Sequence, residues 1–551
     1  MRLRLAALPL LALASVAPAQ TIVAPVAPIA EQTLKDVTKE LSSDAYEGRA
    51  PGTAGEEKTV AYLAKRFAAA GLKPGNKGGW YQDVPLVELT AKNVSPLVFT
   101  GAGAPLSLTY GPDMVVGTWR ITPRVDVKDS PVVFVGYGIN APEKGWNDYA
   151  GVDVRGKTVL ILVNDPDWRT PDLVGPFGGR AMTYYGRWTY KYEEAARQGA
   201  AAAIIVHQTE PAAYGWNVVQ SSWTGAQQVP DAADNHAGDS AAIGWMQEAQ
   251  ARKLFEREAL DFDALAAAAA RKGFRARPLN GVRASVSFDE TVRRHQSRNV
   301  IGILPGTTRP NEYVLYSAHW DHLGHCEAAP DGDDICNGAI DNATGTAALV
   351  ALAEANVTAG PTPRSQVFVA VTGEESGLLG SEYYAANPVY PLNQTVGGVN
   401  MDALSLAGPA KNVVVVGKGK SELDAYLTAA LRTQNRVASA EPTPEKGFYY
   451  RSDHFSLAKR GVPMIYFDAG DDLVAGGKTA GAAAAKDYEK HRYHGPKDEY
   501  DPNWNWAGTV KDVQLYYGIG RALAESSAWP NWVVGDEFRA IRDKSRATAA
   551  K

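Results

Sequence analysis

The chain has 551 residues, 45% of them hydrophobic and 21% charged, with a formal net charge of -5. That length exceeds one ordinary domain and implies two or three, and the composition is that of a soluble globular protein. No strongly basic block is present, so nucleic-acid binding lacks its electrostatic footprint.

The chain opens MRLRLAALPLLALASVAPAQ. Two arginines precede a Leu/Ala run that closes on the small residues Ala17 and Ala19, which predicts a secretory signal peptide over 1–19 and a periplasmic or secreted protein. The run is too short to span a bilayer comfortably, and no later stretch is apolar enough to cross a membrane, so no membrane association is expected. From Glu31 to Leu72 the pattern is helical. TLKDVTKELSSD forms one helix and TAGEEKTVAYLAKRFAAAGL a second, stopped by Gly71 and Pro74, with the Gly/Pro-rich YEGRAPGTAG between them. Asp83 to Gly117 alternates polar and apolar residues, the period of a strand.

Composition shifts near Arg120. PVVFVGYGINAPEKGWNDYAGVDVRGKTVLILVND predicts two strands, and YKYEEAARQGAAAAIIVHQ a helix and a third strand. TEPAAYGWNVVQSSWTGAQQV reads as irregular, and an acidic, alanine-rich helical stretch ends near Gly273. Residues 122–290 therefore read as an inserted unit, splitting a main domain into 20–121 and 291–535. Residues 536–551 read as a charged, frayed tail. The two cysteines, Cys326 and Cys336, predict a disulfide in an exported chain.

Strand character resumes at SRNVIGILPG. The apolar runs of YVLYSAHWDHLG, QVFVAVTGEESGLLGSEYYA and GGVNMDALS each stop at polar residues: His319 and Asp321, Glu374 and Glu375, and Asp402. Asp341 stands where the Ala/Leu helix of GAIDNATGTAALVALAEA begins. NVVVVGKG and GVPMIYFDAG add strands. GGKTAGAAAAKDYEKH predicts a mobile or partly helical loop, and TVKDVQLYYGIGRALAESSA a surface helix. Alternating strands and helices imply an α/β sheet, whose ligands bind beyond the carboxyl ends of the strands. The polar residues fall there.

His319, Asp341, Glu375, Asp402 and His494, with Glu374 adjacent, form a nitrogen and oxygen donor set suited to zinc, and also to manganese or cobalt. Three carboxylates and two imidazoles exceed what one zinc needs and fit two ions sharing a carboxylate, ~3.5–4 Å apart. Such a pair holds a hydroxide and polarises a carbonyl. Consecutive side chains diverge, so one of Glu374 and Glu375 can bind metal while the other reaches the attacking water. Asp321 is placed to accept the second ring N–H of His319, and Asp498 to do the same for His494. Each residue alone reads more readily as a solvated loop residue; the order of the set carries the argument. His322 and His325 read as loop or substrate-facing residues, and His454 as a structural, hydrogen-bonding histidine. Tyr449, Tyr450 and Arg451 either line the pocket or pack beside it. His207, His236, His295 and His491 read as ordinary.

SAHWDHLG, GAIDNATGTAALVALAEA, TGEESGLLGSEYY, VNMDALS and YHGPKDEYD closely resemble metallopeptidase family twenty-eight, which holds bacterial di-zinc aminopeptidases and glutamate carboxypeptidase. The resemblance implies a mixed-sheet zinc exopeptidase domain of the phosphorylase/hydrolase-like type, with helices on both faces. It implies His319 and Asp402 on one zinc, Glu375 and His494 on the other, and Asp341 bridging. It further implies Glu374 as general base, Asp321 as the orienting carboxylate and Tyr493 as an aid to the oxyanion. VVFVGYGI, DYAGVDVRGKTVLILV and AARQGAAAAIIVHQ make the insert similar to a β-rich α/β protease-associated (PA) domain. The implied activity is aminopeptidase cleavage of a peptide substrate. A carboxypeptidase or dipeptidase of the same family is the alternative, and a receptor-like module or a single-zinc cyclase is disfavoured by the complete donor set. The oligomeric state is not legible.

Overall fold

The computed structural model describes residues 22–101, 103–326 and 328–549; the signal peptide expected over 1–19 lies outside them. Two sheets share one strand. Arg277–Leu304 is 28 residues long. Its first part pairs antiparallel with Arg124–Phe134 and its last part with Arg364–Val371, and in between it runs against Tyr81–Lys92. The strand passes residue 290 without a break, so the two sheets are joined by a hydrogen-bonded ribbon rather than by a loose linker.

In the main sheet, Arg364–Val371, Arg309–His319, Thr395–Asn400 and Met464–Ala469 run parallel in that order. Asn412–Val416 follows antiparallel, with Val437–Ala440 beside it. Every residue of Arg364–Val371 and of Thr395–Asn400 is buried. Both faces are covered, which is why these strands read as unbroken apolar runs rather than as alternation. One core gathers Leu34, Phe67, Leu349 and Tyr516 from the helices Glu31–Leu41, Ala54–Ala70, Gly345–Thr358 and Ala507–Glu525. The opposite face carries Tyr384 and Leu457 from Leu379–Ala386 and His454–Ala458. The helix Ala54–Ala70 begins where the Thr53 side chain accepts from the Glu56 N–H, and it ends at Gly71, whose φ of 97° suits glycine.

The second sheet is built from Arg124–Phe134, Thr158–Leu162, Ala202–His207 and Ala242–Gln247, all parallel, with Met114–Gly117 antiparallel at one edge. Leu160, Ile204 and Phe255 pack on one face and Ile161, Ile205 and Trp245 on the other. This sheet therefore has a core on each side.

Four expectations are corrected. The irregular stretch after Thr209 contains the helix Trp216–Trp223 and the strand Gln227–Pro230. Trp216 and Trp223 order it by seating edge-on against His207 and Tyr192. The segment from Gly477 to His491 is a continuous helix. Ala507–Glu525 is not a surface helix: Val513, Leu515, Tyr516, Ile519 and Leu523 are buried, and Tyr516 stacks on Phe467 at 4.0 Å. The charged segment from Arg539 to Ala549 is helical, and its buried Arg542 donates to the carbonyls of Thr395 and Val396 at 2.9 Å each. Sequence polarity misled in the last case because the charge serves main-chain acceptors.

Candidate metal centre

Parallel strands deliver the site. His319 is the last residue of Arg309–His319, and Asp402 stands two residues past the end of Thr395–Asn400. Glu374 and Glu375 follow Arg364–Val371. Asp341 lies in the tight turn Ala339–Thr344 that leads into Gly345–Thr358. His494 follows the helix Gly477–His491 and holds φ at 56°, the left-handed region that costs a non-glycine residue roughly 1–2 kcal/mol.

The donor atoms converge. His319 Nε2 is 3.1 Å from Asp402 Oδ1, 3.3 Å from Asp341 Oδ1 and 4.0 Å from Glu374 Oε2. His494 Nε2 is 3.1 Å from Glu375 Oε2 and 3.4 Å from Asp341 Oδ2. Asp341 thus turns one oxygen to each imidazole. Among the described residues, two groups close enough to hold an ion emerge, His319/Asp341/Glu375 and His319/Glu374/Asp402.

The charges at this centre are out of balance. Burial and the neighbouring Asp402, Glu375 and Asp453 push the Glu374 carboxyl well above the usual range, although His319 pulls it down. Burial opposes the charge on both imidazoles, yet the surrounding carboxylates raise His494 to about 10 and His319 well above its ordinary value. Carboxylates so close together favour any cation that can enter. The mixture of imidazole and carboxylate fits zinc, so the chemistry of the donor set matches the metal that the resemblance implies.

Buried hydrogen bonds hold the donors still. Asp402 Oδ2 accepts from Ser452 Oγ at 2.6 Å. Ser452 Oγ accepts from Asn400 Nδ2 at 2.8 Å, and Asn400 Oδ1 from Ser317 Oγ at 2.7 Å. A chain of this kind orients the ligand and polarises it. His319 Nδ1 is 3.2 Å from the main-chain carbonyl of Asp321 and 3.7 Å from its carboxylate. That carboxylate accepts from the backbone N–H of Glu374 and Glu375 at 3.2 and 3.4 Å. Asp321 therefore ties the histidine strand to the glutamate loop. Tyr493 is 43% exposed and stacks on the His494 ring at 3.9 Å.

Some second-rank readings are corrected. Asp498 is fully buried, but it accepts from the N–H of Ile340 and Asp341 at 3.0 Å each and so fixes the turn that carries Asp341, not His494. His322 lies in the loop after Arg309–His319 as expected, but it is buried there, its Nδ1 lies 2.5 Å from Glu375 Oε1, and its ring meets that of His494 edge-on. His454 sits between Tyr449 and Tyr466 with neither ring nitrogen in a hydrogen bond, so it packs rather than bonds. Tyr449 and Tyr450 are buried in an aromatic cluster. Cys326 and Cys336 form the expected disulfide.

Arg49 was not singled out in the sequence. It is completely buried, and it donates to the carbonyls of Leu41, Trp320, Asn337 and Gly338 at 2.6–2.9 Å. It clamps the His319–Asp321 segment to the turn before Asp341. Gly338 in that turn has φ 53°, and a Cβ there would fall 2.4 Å from the His322 ring, so only glycine fits. Its place in YEGRAPG was the sole available signal for Arg49, because burial of an arginine leaves no periodic mark.

Residues 299–518 match the family model described as peptidase family M28. A glutamate carboxypeptidase 2 homolog of Caenorhabditis elegans is 31% identical over 132 residues, which cover 23% of this chain and 16% of that protein. The aminopeptidase NAALADL1 of Mus musculus is 30% identical over 128 residues, 22% of this chain and 16% of the relative. The chain thus matches less than a fifth of the length of these curated relatives. The solved aminopeptidase from Aneurinibacillus sp. strain AM-1 superposes with a TM-score of 0.50 at 20% identity, covering 90% of this chain and 94% of the other; that likeness is one of fold. The matched segment spans every donor from His319 to His494, so over residues 299–518 the chain is similar to peptidase family M28.

Proposed function

We propose that this protein is an exported zinc exopeptidase with two metal sites, removing N-terminal residues from peptides. The observation that carries the reading is the placement of Asp341, with Oδ1 3.3 Å from His319 and Oδ2 3.4 Å from His494. His319 and Asp402 would hold one zinc, Glu375 and His494 the other, and Asp341 both. Bound zinc supplies an activated water and a Lewis acid for the scissile carbonyl. Glu374 would take a proton from the attacking water and pass it to the leaving amine as the C–N bond breaks. Asp321 keeps Glu374 in place through the main chain, and Tyr493 stands beside His494 where an oxyanion would develop.

The leader expected over 1–19 and the disulfide Cys326–Cys336 support export. Among the described residues no helix is long and apolar enough to cross a membrane. The sheet-bearing insert over 122–290 is read as PA-like, lying against the site and shaping access to it.

Glu374→Gln tests the central assignment. The variant is expected to retain two equivalents of zinc by elemental analysis while turnover of an aminoacyl reporter falls by roughly 10²–10⁴-fold. Full activity with zinc bound refutes the role of Glu374. Comparing free with N-blocked peptides separates the aminopeptidase from the carboxypeptidase alternative, since an aminopeptidase leaves the blocked peptide intact.

A further inference from the structure

The two candidate ion positions are supported by different parts of the chain. Asp402, beside His319, is held by the hydrogen bonds that run through Ser452, Asn400 and Ser317. Glu375 and His494 take no part in that chain. The residue that touches both of them is His322, which lies outside the donor set. Its Nδ1 is 2.5 Å from Glu375 Oε1, and its ring stands edge-on to that of His494, with centres 5.8 Å apart and planes at 76°.

Distance decides what His322 does. Two donors on one zinc, with bonds of about 2.0–2.1 Å at tetrahedral angles, stand roughly 3.3 Å apart. The pairs His319–Asp402, His319–Asp341, His494–Glu375 and His494–Asp341 lie at 3.1–3.4 Å and match that spacing. At 2.5 Å, His322 and Glu375 are too close to share an ion, and they are within reach of a hydrogen bond from the ring N–H to the carboxylate. Glu375 is thereby divided between two imidazoles. Oε1 is taken by His322, and Oε2 faces His494 at 3.1 Å.

The His322 ring has no other polar duty. It is 1% exposed, and its Nε2 has no hydrogen-bond partner in the protein. Packing fixes the rest of it. A Cβ on Gly338 would fall 2.4 Å from His322 Cγ and 2.2 Å from the main-chain oxygen of Asp341, so the turn that carries Asp341 closes directly over the imidazole. A buried polar ring is costly unless it is bonded, and the bond that His322 makes is to Glu375.

We propose that His322 is a positioning residue for one of the two ions only: its Nδ1–H holds Glu375 with Oε2 turned to the ion position shared with His494. The proposal rests on the two-metal reading and deepens it, because it makes the two sites separately supported and separately breakable. Without this bond Glu375 is free to turn, and that site alone loses affinity.

Zinc titration against a competing chelator tests the assignment. The wild type is expected to bind two equivalents. His322→Phe keeps a ring and loses the N–H; it should weaken one site by about 10–100-fold and leave the other within about twofold, as expected for a lost hydrogen bond to a single metal ligand. His322→Asn can place a side-chain N–H near the position of Nδ1 and should recover part of the loss. His494→Ala identifies the site: adding His322→Phe to it should leave the affinity of the remaining ion unchanged. Equal weakening of both sites, no weakening, no recovery in His322→Asn, or a further loss in the His494→Ala background overturns the assignment. If His322→Phe fails to fold by circular dichroism, His322→Leu and His322→Asn, close in volume, carry the same comparison. A wild type that binds fewer than two equivalents refutes the two-metal reading and this assignment with it; two equivalents with both sites equally weakened refutes the assignment alone.

Discussion

Two regions of this molecule bury charge, and they do so in opposite ways. Around the second sheet, Lys191 is fully buried, and its ammonium donates to the carbonyls of Tyr137 and Asn164 at 2.7 and 3.1 Å. Asp148 accepts from the Ile139 N–H and the Trp146 indole, and Asp165 from the main chain and hydroxyl of Thr183. Each of these three groups is met by the protein's own donors or acceptors. Around His319 and His494 the balance is different: Asp341, Glu374, Glu375 and Asp402 converge with the imidazoles of His319, His322 and His494 as their nearest basic partners. A buried network that closes on itself is architecture; one left with surplus negative charge is built for something that arrives from outside.

The comparison can be broken first at Asp341. Asp341→Asn removes the charge shared by both proposed ions, and zinc titration should show affinity weakened by at least about 100-fold; unchanged stoichiometry and affinity would mean that the convergence serves another purpose. Lys191→Met is the matching change beside the second sheet. Stripping a buried cation from its partners costs about 3–5 kcal/mol. Chemical denaturation should register that loss while zinc content stays at the wild-type value, and a fall in zinc content would show the two networks to be coupled.

The smallest expected effect concerns an exception to self-sufficiency. Glu290, in the long strand Arg277–Leu304, is buried with Oε2 lacking a partner, and burial raises its carboxyl to about 7. The unfolded chain releases that proton near the ordinary glutamate value of about 4.3, before the folded protein does. Wild-type stability should therefore decline as pH rises from there to about 7. Glu290→Gln should be neutral near pH 4 and stabilise by about 1–3 kcal/mol at pH 8. A difference that does not vary with pH would show the carboxyl to be solvated.

Legibility followed the physics of each feature. Strands covered on both faces advertise themselves as apolar runs, and donors at their ends stand next to those runs, so His319, Glu374, Glu375 and Asp402 could be singled out in order. His322 sits only three residues beyond His319, but a histidine in HWDHLG looks alike whether its ring faces water or Glu375. The helix Ala507–Glu525 carries charges at Lys511, Asp512 and Arg521, which suggested a surface. In the fold, Arg436 meets Asp512 at 2.6 Å, and Arg521 caps the Gly360 carbonyl at 2.7 Å.

By itself the amino-acid sequence determined the α/β pattern, the disulfide and the set of donor residues, because periodicity and residue chemistry are local properties. Tertiary structure alone decided that Asp341 faces both imidazoles and that Arg49 binds four carbonyls. Those relations depend on which strand ends lie side by side, and no stretch of sequence contains that information.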